Sequence, residues 1–189
     1  ARHADMLNNP GSHYRYDGQT LTYPDIQLIY WAGGNPFHHH QDLAALEKAW
    51  EKPETIIVNE SFWTATARHA DIVFPVTTTL ERSDIGGSSY DTYLSPMRQA
   101  VDPYALSRDD FEVFAGLAAR LGFEDDFTEG RDAFQWVRHI YDTTCRNAER
   151  NDVQLPAFYD FWEGQQIDIS DQLPEAEYSL EKFRRDPEN

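Results

Sequence analysis

Ile26-Gln27-Leu28-Ile29-Tyr30-Trp31-Ala32 runs directly into Gly33-Gly34-Asn35-Pro36. A short apolar, β-rich run stopped by paired glycines predicts a buried strand that delivers its C-terminal end into a loop. Asp42 to Trp50 follows, with Leu43, Leu46 and Trp50 on one helical face and Pro53 closing the segment. Thr55-Ile56-Ile57-Val58-Asn59 supplies a second buried strand and Ile72-Val73-Phe74-Pro75 a third, with the short segment Thr64 to His69 between them. Apolar strands alternating with helices predict an α/β domain. It has three Rossmann-like layers, a mainly parallel sheet covered by helices on both faces.

Further along, Thr77 to Ser95 is rich in Gly, Ser and Thr and is expected to be a long loop. Ser107-Arg108-Asp109-Asp110 has capping-box spacing ahead of a stripe of Phe111, Phe114, Leu117, Ala118 and Leu121, which Gly122 ends. A further helix is expected over Asp132 to Arg150, burying Phe134, Val137, Ile140 and Tyr141. Beyond Pro156 the composition changes, and Gln165 to Asn189 is acidic and expected to be weakly packed or to reach towards a neighbour.

Composition excludes several classes of function. A chain of 189 residues is long enough for one sizeable core, burying roughly 70% of its unfolded surface. With 33 acidic against 16 basic side chains the formal charge is −17, the wrong sign for neutralising phosphates along a nucleic acid. No stretch approaches the roughly 20 apolar residues needed to span a bilayer. The single Cys145 excludes a disulfide framework or an internal CxxC motif, and its place in a helical pattern favours a packed residue over a nucleophile. Ala1-Arg2-His3-Ala4-Asp5 carries neither an initiator Met nor an apolar leader core, the expectation being a mature or excised segment. The sequence leaves the compartment open.

Ligands of open α/β sheets bind beyond the carboxyl ends of the strands. Gly33, Gly34 and Asn35 stand there, giving a ligand close access to the backbone, with the next helix start offering free N–H groups; an ordinary glycine turn explains the same spacing. Consecutive side chains diverge by about 100° on a helix and about 180° on a strand, so His38-His39-His40 is a poor chelate. One imidazole facing a ligand fits better. Asn59 and Glu60 end the second strand, where a carboxylate meets a ribose or base edge or is simply solvated. Thr64-Ala65-Thr66 opens a short helix, where its hydroxyls cap the backbone or bind an anion. Asp110 either caps its helix or accepts hydrogen bonds from an amino-bearing heterocycle, and Asp71 is read as a structural residue at a strand entry.

Tyr30 to Asp42 (Tyr-Trp-Ala-Gly-Gly-Asn-Pro-Phe-His-His-His-Gln-Asp) and Phe62 to Pro75 (Phe-Trp-Thr-Ala-Thr-Ala-Arg-His-Ala-Asp-Ile-Val-Phe-Pro) resemble the molybdopterin oxidoreductases, within them the dimethyl sulfoxide, trimethylamine N-oxide and biotin sulfoxide reductases. Thr77 to Asp84 and Ser107 to Phe114 fit the same pattern, so the similarity runs from about Pro24 to Leu121 and more loosely to Trp162. The resemblance implies a catalytic subunit in which two Rossmann-like domains clasp two molybdopterin guanine dinucleotides around one molybdenum. Residues 1–150 would be the later, third-domain-like member of that pair, and 151–189 an extension towards a further domain. Matched residue by residue, Gly33, Gly34 and Asn35 would lie against guanosine or pyrophosphate with His39 nearby. Asn59 and Glu60 would meet the nucleoside, Thr77 the phosphate region and Asp110 the guanine or its ribose.

The serine that binds molybdenum in this subgroup has no counterpart here, so the resemblance implies no catalytic or metal-binding residue in the chain. It implies as partners the remaining domains of the subunit, an electron-donor protein and a small sulfoxide or N-oxide, with no nucleic acid and no membrane. The whole enzyme would transfer an oxygen atom from substrate, and the isolated chain would be inactive. The alternative is a stand-alone purine-nucleotide-binding regulatory module without redox chemistry. A further rival, an interaction protein using its acidic surface, rests only on net charge.

Overall fold

In the computed structural model, which describes residues 2–89, 91–174 and 180–188, the chain divides into two units: residues 1–78 with 103–122, and residues 79–102 with 123–189. Neither unit ends at residue 150.

The first unit begins with α1 (His3–Asn8) and a hairpin of β1 (His13–Tyr16) and β2 (Gln19–Thr22). The hairpin was not anticipated, although Asp17-Gly18 is a strong two-residue turn signal. Both residues take positive φ, 48° and 73°, as such a turn requires. Next come β3 (Leu28–Ala32), α2 (Pro36–His39), α3 (Leu43–Trp50), β4 (Thr55–Glu60), α4 (Ala65–Arg68), β5 (Ile72–Pro75) and α5 (Asp110–Leu121). The three expected strands pair in parallel in the order β3-β4-β5, with Ala32 opposite Asn59 and Glu60 opposite Pro75. All three therefore deliver their C-terminal ends to the same edge.

Alternation along β4 divides the unit. Ile56 and Val58 join Leu7, Phe37, Leu46, Ala49 and Trp50 in one core, whereas Tyr30 of β3 packs its ring 5.3 Å from Phe114 of α5. Asp42 caps α3 by accepting from the Ala45 amide at 3.0 Å. The buried face of α3 is Leu46, Ala49 and Trp50; Leu43, expected inside, is 43% exposed. Helical positions i, i+3 and i+4 converge on the sheet, and Leu43 lies a turn too early.

Expected coverage on both faces is only partly realised. Leu28, Ile72 and Phe74 are substantially exposed, and an apolar groove of about 890 Å³ lies between the sheet and α5, lined by Tyr30, Ile57, Phe74 and Leu117 among others. In a three-stranded sheet β3 and β5 each have one neighbour, so only β4 meets the continuous burial expected of a parallel strand. Gly122 ends α5 in the left-handed conformation, as expected. The capping box does not form: Asp109, not Ser107, caps α5 by accepting from the Phe111 amide at 2.7 Å.

In the second unit β6 (Asp84–Gly87) and β7 (Tyr93–Met97) form an antiparallel pair within what was expected to be a loop, because Ile85, Leu94 and Met97 give the Gly/Ser-rich stretch enough apolar side chains to pair. α6 (Glu124–Thr128) leads to α7 (Ala133–Glu149), opened by a capping box between Asp132 and Gln135. Val137 and Tyr141 are buried against Phe158, Phe161 and Trp162 of α8 (Phe158–Glu163), while Phe134 and Ile140, also expected inside, stay 40% and 53% exposed on the flanks of that stripe. Burial pushes the Tyr141 phenol far above its ordinary range, and its hydroxyl donates to the Pro156 carbonyl at 2.9 Å. Cys145 sits beside it, its thiol also pushed up by burial. Of the acidic tail, β8 (Ile167–Asp168) joins β7, while the last helix is α9 (Glu181–Arg185). Part of that tail lies outside the described residues.

Candidate functional site

The loop after β3 is built on two left-handed glycines, Gly33 at φ +79° and Gly34 at φ +72°. A Cβ on Gly33 would meet nothing within 4 Å, and one on Gly34 only the Trp31 indole nitrogen at 4.0 Å. The backbone here is thinned and uncovered, and the conformation excludes most side chains. Asn35 then stands at the N-terminal boundary of α2, its Oδ1 accepting from the fully buried Thr66 hydroxyl in α4. A second tie holds the far end of the loop: His3 Nδ1 and His40 Nε2 are 2.8 Å apart, sharing a proton. Burial lowers both imidazoles below their ordinary range, and for His3 the neighbouring His40 adds to the shift.

At the end of β4, Asn59 is buried and its amide is spent within the fold. Its Nδ2 donates to Asp110 at 2.7 Å, and its Oδ1 accepts from the Tyr30 hydroxyl at 2.9 Å. Burial, reinforced by the Asp110 carboxylate, raises the Tyr30 phenol above its ordinary range and keeps it a donor. Glu60 is likewise engaged: Oε1 accepts from the Ser61 amide at 3.0 Å and Oε2 from the Thr64 hydroxyl at 2.9 Å. Thr64 also caps α4, the simpler of the two roles expected of it. After β5, Thr77 donates its amide to the Arg108 carbonyl at 3.1 Å and accepts from the Ser61 hydroxyl at 3.4 Å.

Two buried polar atoms at this edge lack a hydrogen-bond partner among the described residues, Trp31 Nε1 and Thr77 Oγ1. Buried polar groups are satisfied in the large majority of cases, so each exception calls for a ligand, a water or a specific cost. Thr77 lies just past β5, and Trp31, the penultimate residue of β3, carries its indole nitrogen 4.0 Å from where a Cβ on Gly34 would stand.

Seven of the eight expected positions thus gather at one sheet edge. Gly33, Gly34 and Asn35 follow β3, Asn59 and Glu60 end β4, Thr77 follows β5, and Asp110 reaches the edge through Asn59. His39 joins none of these bonds and is exposed at the end of α2, its ring 6.2 Å from His38. Asp110 does not cap its helix, since Asp109 does. Asp71 has the structural duty expected, accepting from the Ile56 amide at 2.8 Å. Tyr30 and Trp31 were missed as site residues, and the available signal was a polar-tipped aromatic pair in an otherwise aliphatic strand; Thr66, expected to cap or to bind an anion, instead donates to Asn35. Among the described residues no group of three or more His, Cys, Asp or Glu is placed to hold a metal ion, and no helix is long and apolar enough to cross a membrane.

A three-stranded parallel sheet with glycine backbone and unpartnered polar atoms at its carboxyl edge defines an open α/β fold, in which ligands bind at that edge. Residues 5–120, more than half of the chain, match the family model "Molybdopterin oxidoreductase". The chain belongs to the molybdopterin oxidoreductase family. It is 51% identical over 164 residues to dimethyl sulfoxide/trimethylamine N-oxide reductase of Cereibacter sphaeroides, covering 86% of this chain and 20% of that protein. Biotin sulfoxide reductase of the same organism is 48% identical over 163 residues, covering 86% of this chain and 22% of the relative. The chain therefore spans about a fifth of the length of these curated relatives. Among solved structures, acetylene hydratase from Pelobacter acetylenicus superposes with a TM-score of 0.60 at 18% identity, over 78% of this chain and 19% of the other, a likeness of fold.

Family membership implies a molybdopterin cofactor, and the residues present fit part of one. The glycine cradle, with the unpartnered Thr77 hydroxyl and Trp31 indole N–H, offers donors suited to an acceptor-rich group.

Proposed function

We propose that this chain forms the part of a sulfoxide or N-oxide reductase that holds the nucleotide end of a molybdopterin guanine dinucleotide. The observation that carries this reading is the pairing of an open left-handed Gly33-Gly34 turn with an unpartnered buried Thr77 hydroxyl on flanking strands of one parallel sheet. In this reading Gly33 and Gly34 admit the pyrophosphate or guanosine against bare backbone, and Thr77 donates to a phosphate oxygen. Asn35, whose Oδ1 is engaged by Thr66, turns its Nδ2 to the ligand. Asn59 and Glu60 act mainly by holding their neighbours, and Asp110 keeps one carboxylate oxygen for a guanine or ribose donor. His39 contacts the ligand only from the rim.

The bound molybdenum group supplies the oxygen-atom transfer from S=O or N=O, and the chain contributes orientation and electrostatics. The remaining domains of a longer subunit, an electron-donor protein and a small sulfoxide or N-oxide are the partners of this reading, supported by relatives about four times the length of the chain.

The test is Asn35→Asp within the full-length subunit. Aspartate keeps the oxygen that accepts from Thr66, removes the Nδ2 donor and adds a negative charge facing phosphate. Molybdenum and guanine content of the purified protein are expected to fall by roughly tenfold, the effect of losing one hydrogen bond to a charged group, with the thermal transition little changed. Equal cofactor content in variant and parent would overturn the contact.

A further inference from the structure

We infer that Phe62 and Trp63 form a stacking surface for the planar base of the bound nucleotide, a role that rests on the reading above and extends it to residues nothing else assigns. Both rings are uncovered, 69% and 70% exposed, on consecutive positions just past β4. The turn that carries them is nevertheless fastened on both sides. Glu60 grips the Ser61 amide before the pair and the Thr64 hydroxyl after it, and the Thr64 amide donates to the Phe62 carbonyl at 2.8 Å. Ser61 is tied in addition to Thr77, and α4, which Thr64 caps, holds Asn35 through Thr66. A carboxylate wholly committed to one turn fixes two large rings in solvent, where each leaves roughly 150–250 Å² to be covered.

Their place in the sheet says what covers them. β4 is the central strand, so the pair projects from the middle of the edge whose flanks carry the Gly33-Gly34 cradle and Thr77. Donors suited to phosphate stand on either side, and an aromatic surface occupies the centre. A flat heterocycle joined to phosphate matches that order, because every base has a π-face and stacking on an aromatic ring needs no specific hydrogen bond. An apolar protein surface is the competing occupant, and the experiment separates the two.

The 189-residue chain is titrated with GDP and with inorganic pyrophosphate by equilibrium dialysis, as wild type, Trp63→Ala, Trp63→Phe and Phe62→Ala. Trp63→Ala is expected to weaken GDP about tenfold or more, to leave pyrophosphate unchanged and to leave the thermal transition unchanged, since the ring is exposed. GDP is expected to quench the tryptophan emission of the wild type, and Trp63→Phe to restore most of the GDP affinity while reducing that quenching. Wild-type GDP affinity in both alanine variants would overturn the stacking role and leave the nucleotide reading standing. The same affinity accompanied by reduced self-association in sedimentation would assign the rings to a protein contact instead. A wild-type chain that retains neither GDP nor pyrophosphate would overturn both.

Discussion

The centre and the flanks of one sheet edge are built differently. At the end of β4, Asn59 and Glu60 have their side-chain oxygens engaged, and Asn59 also spends its amide, on Tyr30, Asp110, Ser61 and Thr64. At the ends of β3 and β5 the opposite holds: two glycines leave their surroundings almost empty, and an indole N–H and a hydroxyl are buried without a hydrogen-bond partner among the described residues. A saturated polar network rigidifies, whereas an unsatisfied buried group is costly until something fills it. The difference gives the Asn59 and Glu60 side chains a scaffold duty, and in the proposed reading leaves phosphate contact to the flanks, although a pattern-based reading treats all of these residues as equivalent ligand contacts.

Asn59→Asp attacks the scaffold directly and carries the largest expected effect. It places a carboxylate within hydrogen-bond distance of Asp110 where an amide donated, and two carboxylates so close cannot both ionise without cost. Chemical denaturation at neutral pH should show a loss of about 2–4 kcal/mol, from one broken charged hydrogen bond plus repulsion. The deficit should shrink as pH falls below 5 and one carboxyl takes a proton that restores a donor. A variant as stable as the parent at pH 7 would show that the centre of the edge is not a scaffold.

Much of this contrast was hidden from the sequence for a physical reason. The existence and parallel direction of the strands were legible, since β3, β4 and β5 are short apolar runs stopped by loop residues, and a common edge follows from their being parallel. Which atoms are already spent was not legible, because it depends on cross-strand register. Ala32 lies opposite Asn59, and this brings the Tyr30 hydroxyl, two residues back on the same face, within reach of the Asn59 amide. Likewise the shift of the α5 cap by two residues, from Ser107 to Asp109, decides whether Asp110 faces its own backbone or Asn59. Ser107 and Asp109 are both good caps, and only packing against the sheet selects between them. The hairpin over Asp84 to Met97 was missed because its Gly and Ser content masks a weak alternation.

Thr77→Val sharpens the contrast from the other side. Valine keeps the shape of the side chain and removes the buried hydroxyl that has no partner. If the flank is a ligand position, the unliganded chain should be unchanged or up to ~1 kcal/mol more stable, because an unsatisfied buried group has been deleted. Cofactor content of the full-length protein should fall at the same time. A thermal transition lowered by the substitution would mean that the hydroxyl is used inside the fold, and flank and centre would then be alike.

Acidification is the gentlest way to separate the two. The β3 flank is closed by His3 and His40, which share one proton, and both are held below their ordinary range, chiefly by burial. Groups whose folded-state pKa is lowered contribute stability that is fully present above the unfolded value, about 6.5, and is lost as pH falls through the lower folded values. His3 packs edge-on against Trp31 at 5.6 Å, and His39 disfavours a further charge on His40, so a second proton in this cluster must push α1 or the loop outwards. Hydrogen exchange should therefore show protection falling in α1 and over residues 33–40 below pH 6.5, with the amides of Val58 to Glu60 unaffected. His3→Gln should abolish that pH dependence. Loss of protection at Val58 to Glu60 over the same pH range would mean that centre and flank open as one unit, because the ties through Thr66 and Tyr30 transmit the strain they are taken here to isolate.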